Sequence, residues 1–530
     1  MGNLCPYVNS NQWRLTVHPR SFAQARPDHP AVIVSTTGAV RTYGELEDNA
    51  DRGAHLLRRI GLESGDTIAL MIDNSLAYFD LFWAAQRCGL YIVPVATRLT
   101  VAEIRYILGN SEAKTFVCSA EFTEAASGIF GERGDLPRLT HFFAVNGPIA
   151  DYDDWYARIA DMPATPIADE EAGVHMAYSS GTTGRPKGLR NPLRGGAADG
   201  PDLFGEQLVR NFGLGSETVY LSPAPMYHTA PLVWNAGVLR NGGTVILMPR
   251  FDPASFVDLI ERYKVTHTQV VPTMFVRLLK MAGELRGRHD SSSLRMIIHA
   301  AAPCPVAVKH EMIDWFGPVI VEYYSASEAN GSTMIDSAEW LQKPGSVGRA
   351  NWGTIHICDE DGRELPTGTD GIVYFEGALN FEYHGDPEKT AGTRNPYHSD
   401  WTTVGDIGHV DADGYLFLTD RKDFMIISGG ANIYPQEIEN ILISHPDVAD
   451  VAVFGVPHAD MGEQVKALVQ PLRWEDAGPD LAARLEKWCR QHLSPIKLPR
   501  SFEFEQALPR AENGKMYKKD LRARYWPAPA

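Results

Sequence analysis

A chain of 530 residues exceeds what one hydrophobic core organises, so two or three domains are expected. With 44% hydrophobic and 22% charged residues the composition is that of a folded globular protein and excludes a disordered one. The 49 basic against 66 acidic residues leave a net charge of −17, which argues against nucleic acid or an anionic membrane as the main partner. Six cysteines (Cys5, Cys88, Cys118, Cys304, Cys358, Cys489) lack C-x-x-C spacing, so neither a zinc site nor a disulfide framework is indicated. No apolar run reaches membrane-spanning length, and the first residues carry no signal-peptide core. Met1-Gly2-Asn3-Leu4-Cys5-Pro6 begins like a myristoylation site but has Pro6 where Ser or Thr is needed. A soluble cytoplasmic protein is expected.

Residues 1–170 alternate strand and helix patterns. Ala31-Val32-Ile33-Val34, Thr67-Ile68-Ala69-Leu70-Met71, Tyr91-Ile92-Val93-Pro94-Val95 and Thr115-Phe116-Val117-Cys118 are predicted strands. Thr42 with Glu45 three residues on predicts a capped helix start. Short apolar strands between helix-length segments predict a parallel α/β sheet. The segment 189–215, rich in Gly, Pro, Asn and Asp, is expected to be an irregular connection. Strands at 243–248 and 296–299, with a helix over 256–263 between them, restore the βα rhythm. Over 345–420, short strands such as 354–357 and 371–375 separated by Asp/Gly turns predict a small antiparallel β unit. Residues 424–530 predict an α+β unit: strands at 424–427, 449–455 and 465–470, and helices at 435–444 and near 481–492.

The stretch Tyr178-Ser179-Ser180-Gly181-Thr182-Thr183-Gly184-Arg185-Pro186-Lys187-Gly188 concentrates phosphate-binding chemistry. Gly181, Gly184 and Gly188 let backbone N–H groups approach a ligand closely. Ser179, Ser180, Thr182 and Thr183 supply short donors, and Lys187 supplies a cation. It is not a Walker A loop, which needs Lys directly after the last Gly of G-x-x-x-x-G, because Pro186 stands five residues beyond Gly181. A Ser/Gly cluster taken alone is equally a surface turn. The order S-S-G-T-T-G-x-P-K-G resembles the phosphate loop of the adenylate-forming superfamily, which includes acyl-CoA synthetases, luciferases and nonribosomal adenylation domains.

Five further stretches follow in that superfamily's order and extend the resemblance over essentially the whole chain. A histidine after an aromatic is by itself an ordinary core residue; in Pro225-Met226-Tyr227-His228-Thr229-Ala230 the resemblance implies that Tyr227 and His228 line the acyl pocket, with Ala300 and Ala326 beside them. Ala301, Ala302 and Pro303 are small residues that let a flat ligand approach the backbone. In Glu322-Tyr323-Tyr324-Ser325-Ala326-Ser327-Glu328, Tyr324 offers a face for adenine and Glu328 a hard oxygen ligand for Mg²⁺. The resemblance implies that Tyr323, Tyr324 and Ser325 border the nucleotide and that Ser327 contacts phosphate. It also implies that Glu328 shares the metal with Thr183. Ser325 departs from the pattern, which has Gly there, and places a Cβ and a hydroxyl where the acyl carboxylate is expected.

A carboxylate accepts hydrogen bonds from both ribose hydroxyls at once. Asp406, in Trp401-Thr402-Thr403-Val404-Gly405-Asp406, matches the ribose-binding position, and Arg421 a second ribose contact. Asp423 matches the family's hinge between domains, and Gly429-Gly430 a backbone path for pantetheine. Lys515, in Pro509-Arg510-Ala511-Glu512-Asn513-Gly514-Lys515, matches the catalytic lysine that bridges the acyl carboxylate and the α-phosphate.

The implied fold is α/β: a large N-terminal domain (1–420) of stacked αβ layers with a small β-barrel-like subdomain (345–420). A hinge (421–424) and a smaller mobile α+β C-terminal domain (425–530) follow. The implied enzyme is an ATP- and Mg²⁺-dependent carboxylic acid–CoA ligase working through an acyl-adenylate, with coenzyme A as co-substrate. The alternative is an amide synthetase or acyl-AMP ligase with another acceptor. The acid is expected to be medium-sized or bulky and apolar, and the chain a monomer or homodimer.

Overall fold

The computed structural model describes residues 18–179, 186–193, 195–200, 203–377, 381–421, 424–429, 431–510 and 516–526, the side chains of 179 and 203–205 excepted. The described chain is mixed α/β, as the strand–helix alternation predicts, and divides into two compact units. The first comprises residues up to 269 with 287–297 and 381–390; the second comprises 270–286, 298–380 and residues from 391 onward.

In the first unit a parallel sheet runs in the order Asp153–Asp154, His141–Val145, Thr115–Ser119, Thr67–Met71, Tyr91–Pro94, Val174–His175. All five residues of Thr67–Met71 are buried. A parallel strand covered on both faces must be apolar throughout, which is why this segment shows no alternation. A second parallel run joins Val219–Ser222, Thr244–Leu247 and Pro30–Val34, with Val40–Thr42 antiparallel at its edge. The helix Tyr43–Arg59 starts as Thr42 and Glu45 predict. Glu45 N donates to Thr42 Oγ1 at 3.2 Å, and Thr42 N donates to Glu45 Oε2 at 3.0 Å. The Tyr43 hydroxyl at its start donates to the Gly243 carbonyl at 2.8 Å, tying the helix to the second run of strands.

The connection 189–215 differs from the sequence expectation, because it contains the helix Leu203–Phe212. Leu208 and Phe212 are buried at helical spacing. The surrounding Gly, Pro and Asp residues dilute that short apolar pattern below what composition registers.

In the second unit, antiparallel strands Ile320–Ser325, Ser332–Asp336 and Ser346–Trp352 lead on to Leu416–Arg421, Asp406–Val410, Gly371–Glu376 and Thr354–Cys358. The antiparallel character expected for 345–420 is therefore observed. A separate sheet holds Ala431–Ile433, Ile426–Ser428, Gly462–Pro471 and Val448–His458, with Ser501–Phe504 parallel to Gly462–Pro471. The helices Pro435–Ile443 and Pro479–His492 cover its core through Ile438, Leu442, Leu481 and Leu485. No helix among the described residues is long and apolar enough to cross a membrane.

Candidate active site

The phosphate-loop stretch is carried by a β-hairpin in the first unit. Ala177–Ser179 pairs antiparallel with Lys187–Leu189, so Lys187 lies opposite Ser179 and Gly188 opposite Tyr178. A Cβ at Gly188 would stand 2.5 Å from the Met176 methyl carbon and 2.9 Å from the Tyr178 ring, so any larger residue here must displace both side chains. The Tyr178 hydroxyl donates to Asn110 Oδ1 at 2.7 Å, fixing one arm of the hairpin. The other arm is held by backbone, since His384 N donates to the Gly188 carbonyl at 2.8 Å and Leu189 bridges to Tyr383. The Lys187 ammonium sits 5.6 Å from the centre of the Tyr383 ring, a cation–π contact. Ser180, Gly181, Thr182, Thr183 and Gly184 lie outside the described residues, as does the side chain of Ser179.

The Tyr227–His228 pair is also in the first unit, with ring centres 4.4 Å apart. His228 takes the extended N-cap position before the helix Thr229–Arg240. Two buried asparagines hold this turn. Asn74 donates to the carbonyls of Ala224 (3.1 Å) and Met248 (3.0 Å) and accepts from Met226 N at 2.8 Å. Asn235 donates to Ser222 Oγ at 2.8 Å and to the Pro231 carbonyl at 2.7 Å. Buried amides with such partners fix backbone that side-chain packing alone would leave free.

In the second unit the structure brings three predicted residues into direct contact. The Tyr324 hydroxyl donates to Asp406 Oδ2 at 2.6 Å, and Arg421 Nε donates to Asp406 Oδ1 at 3.0 Å. Register explains the second contact: Asp406 and Arg421 are paired residues of neighbouring antiparallel strands. Burial, followed by the Asp406 carboxylate, raises the Tyr324 phenol well above its ordinary value, so it remains a donor. The Asp406 charge likewise raises Arg421, against its own burial. A carboxylate has about four lone-pair sites. Asp406 is thus oriented by two neighbours while keeping acceptor capacity.

Glu328 is half-buried, and its charge reaches both Tyr324 and Arg421. Ser327 is exposed, whereas Tyr323 and Ala326 are half-buried. The Ser325 hydroxyl donates to the Gly331 carbonyl at 2.9 Å. Ala300 is buried and Ala301 exposed, and Ala302 and Pro303 follow before the helix Val306–Phe316. Ala301 has φ +73° and Ala329 φ +52°, the left-handed region that residues with a Cβ avoid. Backbone held in that region clusters at functional sites.

Asp423, Gly430 and Lys515 lie outside the described residues. Their surroundings do not. Asp420, at the end of its strand, accepts from Gln436 N at 3.0 Å, in the first turn of the helix Pro435–Ile443. Gly429 has φ +56°, and its N–H donates to the Met461 carbonyl at 2.9 Å. Arg510 pairs with Met516, and it grips Asp450 through Nε at 2.5 Å and Nη2 at 2.7 Å.

Residues 20–383 match the family described as AMP-binding enzyme, and residues 437–515 match the AMP-binding enzyme C-terminal domain. The chain belongs to the adenylate-forming enzymes. This adenylate-forming enzyme is 33% identical over 507 residues to the feruloyl-CoA synthase of an Amycolatopsis species, covering 95% of this chain and 97% of that one. It is 30% identical over 515 residues to the long-chain-fatty-acid–CoA ligase FadD13 of Mycobacterium tuberculosis, covering 97% of each. Among solved structures it resembles ATP-bound MatB from Rhodopseudomonas palustris, with 30% identity, a TM-score of 0.80, and coverage of 96% of this chain and 99% of that one. It also resembles the amide bond synthetase McbA from Marinactinospora thermotolerans, with 25% identity, a TM-score of 0.77, and coverage of 96% and 100%.

Sequence reasoning passed over Asn74, Asn235, Tyr383 and Asp420. Asn74 and Tyr383 act on stretches more than a hundred residues away, whereas Asn235 and Asp420 sit close to the stretches they hold, with contacts 4 to 16 residues off. A buried Asn beside a predicted strand end is the one local signal that Asn74 offered.

Proposed function

We propose that this adenylate-forming enzyme is an AMP-forming carboxylic acid–CoA ligase. Its relatives include named CoA ligases aligned over nearly their full length, and ATP use accords with the AMP-binding family and with ATP-bound MatB. The observation that carries the nucleotide assignment is the Tyr324–Asp406–Arg421 group. An acceptor carboxylate, an aromatic face and a guanidinium are joined there by hydrogen bonds, the set that an adenine and its ribose require.

The chemistry needs no nucleophilic side chain. The acid's carboxylate attacks the α-phosphate of ATP and displaces pyrophosphate; the thiol of CoA then attacks the acyl carbon and displaces AMP. Ser179–Gly184 and Lys187 hold the phosphates, Asp406 and Arg421 the ribose, and Lys515 the developing charge between carboxylate and α-phosphate. Tyr227, His228, Ala300 and Ala326 border the acid, and Gly429 and Gly430 the pantetheine arm. Glu328 and Thr183 would hold Mg²⁺, which neutralises phosphate charge when bound. Glu328 offers a half-buried carboxylate whose charge reaches Tyr324 and Arg421, beside the residues assigned to the nucleotide. Mg²⁺ on a nucleotide is usually bound through one or two protein oxygens plus phosphates. The enzyme's contribution is positioning and charge, and positioning in such reactions can supply roughly 7–11 kcal/mol.

Acid-dependent exchange of labelled pyrophosphate into ATP, run over a panel of acids, tests the first step. AMP release with and without CoA tests the acceptor. We expect exchange with medium or bulky apolar acids, and AMP turnover that depends on CoA. Exchange without any CoA-dependent turnover would move the protein to an amine or carrier-thiol acceptor, and absence of exchange with every acid would overturn the ligase reading.

A further inference from the structure

Behind the nucleotide-bordering segments of the second unit lies a buried charged group that none of the expected roles uses. Lys309, on the helix Val306–Phe316, is fully buried, and its ammonium donates to Glu322 Oε2 at 2.6 Å. Glu322 is itself only 5% exposed. His299 is fully buried, with Nε2 3.6 Å from the same carboxylate oxygen. Neither ring nitrogen of His299 hydrogen-bonds within the described residues, and its ring packs edge-on against Phe275 with centres 5.2 Å apart. The Trp340 ring, 4.8 Å from the ammonium, closes the other side of Lys309.

The places of these three residues in the chain are what give them meaning. His299 immediately precedes Ala300–Pro303; Lys309 follows that segment on the helix it leads into; Glu322 immediately precedes Tyr323–Ser325. The group therefore ties together, from behind, the two segments assigned to the nucleotide. Stability alone does not account for it, since a buried ion pair replaced by well-packed apolar residues is often neutral or more stable. The segments it joins also carry strain: Ala301 sits at φ +73° between His299 and Lys309. Strained backbone persists only where its surroundings over-determine it.

We propose that Lys309, Glu322 and His299 are positioning residues that set the spacing of the Ala300–Pro303 and Tyr323–Ser325 backbones against the adenine nucleotide. The proposal rests on the nucleotide assignment made above. Burial, and after it the Lys309 charge, lowers His299 well below its ordinary value, so the imidazole is neutral and adds no second cation. The tie is thus one cation against one carboxylate, directional through its hydrogen bond, with a neutral ring as spacer.

The test replaces the tie by apolar volume: Lys309→Met with Glu322→Leu in the full chain. The double variant should keep or raise its melting temperature. Its KM for ATP should rise about tenfold, equivalent to roughly 1.4 kcal/mol of lost nucleotide binding, with kcat changed far less. The KM for CoA serves as the internal reference and should not move. A folded double variant with unchanged KM for ATP overturns the proposal, as does an equal rise in both KM values. If the double variant does not fold, Lys309→Met alone is measured instead; it removes the ammonium and its hydrogen bond, and Glu322, whose carboxyl burial raises, can then take up a proton. A rise in KM for ATP alone supports the tie, and unchanged constants overturn it. Asp406→Asn, run beside these, reports on the nucleotide assignment itself. An unchanged ATP KM there overturns that assignment and the tie with it, whereas a raised one leaves any failure of the tie as its own.

Discussion

Ala301 holds a methyl group where glycine would rest without strain. Its φ of +73° is costly for any residue with a Cβ, by about 1–2 kcal/mol, and the side chain is exposed, so removing it loses no packing. Ala301→Gly should therefore raise the midpoint of urea unfolding. The gain is about 0.5–1 kcal/mol, because the greater freedom of glycine in the unfolded chain offsets part of the relief. A lowered midpoint would show that the alanine is not strained where it stands. At this scale the sequence was legible for residue types and blind to their partners. Tyr324, Asp406 and Arg421 were each picked out by a motif, yet 82 residues separate Tyr324 from the Asp406 carboxylate that its hydroxyl meets. Ser325 shows the same limit: its hydroxyl bonds to the Gly331 carbonyl across the hairpin, a contact set by register with Ser332 that composition cannot express.

At the scale of elements, patterns that are local were legible. The Thr42–Glu45 capping box, the strands Thr67–Met71 and Met296–His299, and the helix Pro435–Ile443 follow from neighbours in sequence. The helix Leu203–Phe212 was not, because its apolar face is short and lies between turn-forming residues. The pairing of Arg510 with Met516 illustrates what an element contributes to a site. The Arg510–Met516 bridge, the two-point grip on Asp450 and the buried Lys518–Glu439 pair at 2.8 Å anchor both ends of the segment carrying Lys515. Such anchoring accords with the role proposed for Lys515, which is to meet a polyanion. Lys515→Ala should cost on the order of 3 kcal/mol in the adenylation step, judged from comparable lost charge contacts, and leave thioester formation from supplied acyl-AMP largely intact. Equal losses in both steps would remove Lys515 from the role given to it.

For the whole molecule, the family, the α/β class and the ligase class were legible because six motifs recur in one order along the chain, and the comparisons bear these out. What no motif announced is how the first unit is held together inside. Its helices Pro19–Ala25, Tyr43–Arg59 and Leu76–Arg87 meet in a nearly buried ionic group: Arg20 and Arg87 against Glu47, Asp51 and Glu170. Three carboxylates share two guanidiniums, so one negative charge is in excess. The excess falls on Asp51, whose carboxyl is raised to about 6 from 3.8, first by burial and then by Glu47 and Glu170, with Arg87 and Arg20 opposing. Glu47 moves the other way: Arg87 and Arg20 outweigh its burial and lower it. The sign for Asp51 follows from linkage. Between about pH 4 and 6 the folded chain holds this proton more tightly than the unfolded chain, so stability falls as pH rises through that window. The upper bound is about 3 kcal/mol, from 1.36 kcal/mol per pKa unit. Glu47 gives an opposite slope at lower pH, so the wild-type curve alone is not diagnostic. Asp51→Asn removes the titration and keeps the shape. The stability of the wild type minus that of Asp51→Asn, from urea midpoints between pH 4.5 and 7.5, should therefore decrease with pH and level off above 7. A difference that is flat across this range would mean that Asp51 is ionised throughout and that the excess charge is spread over the whole group.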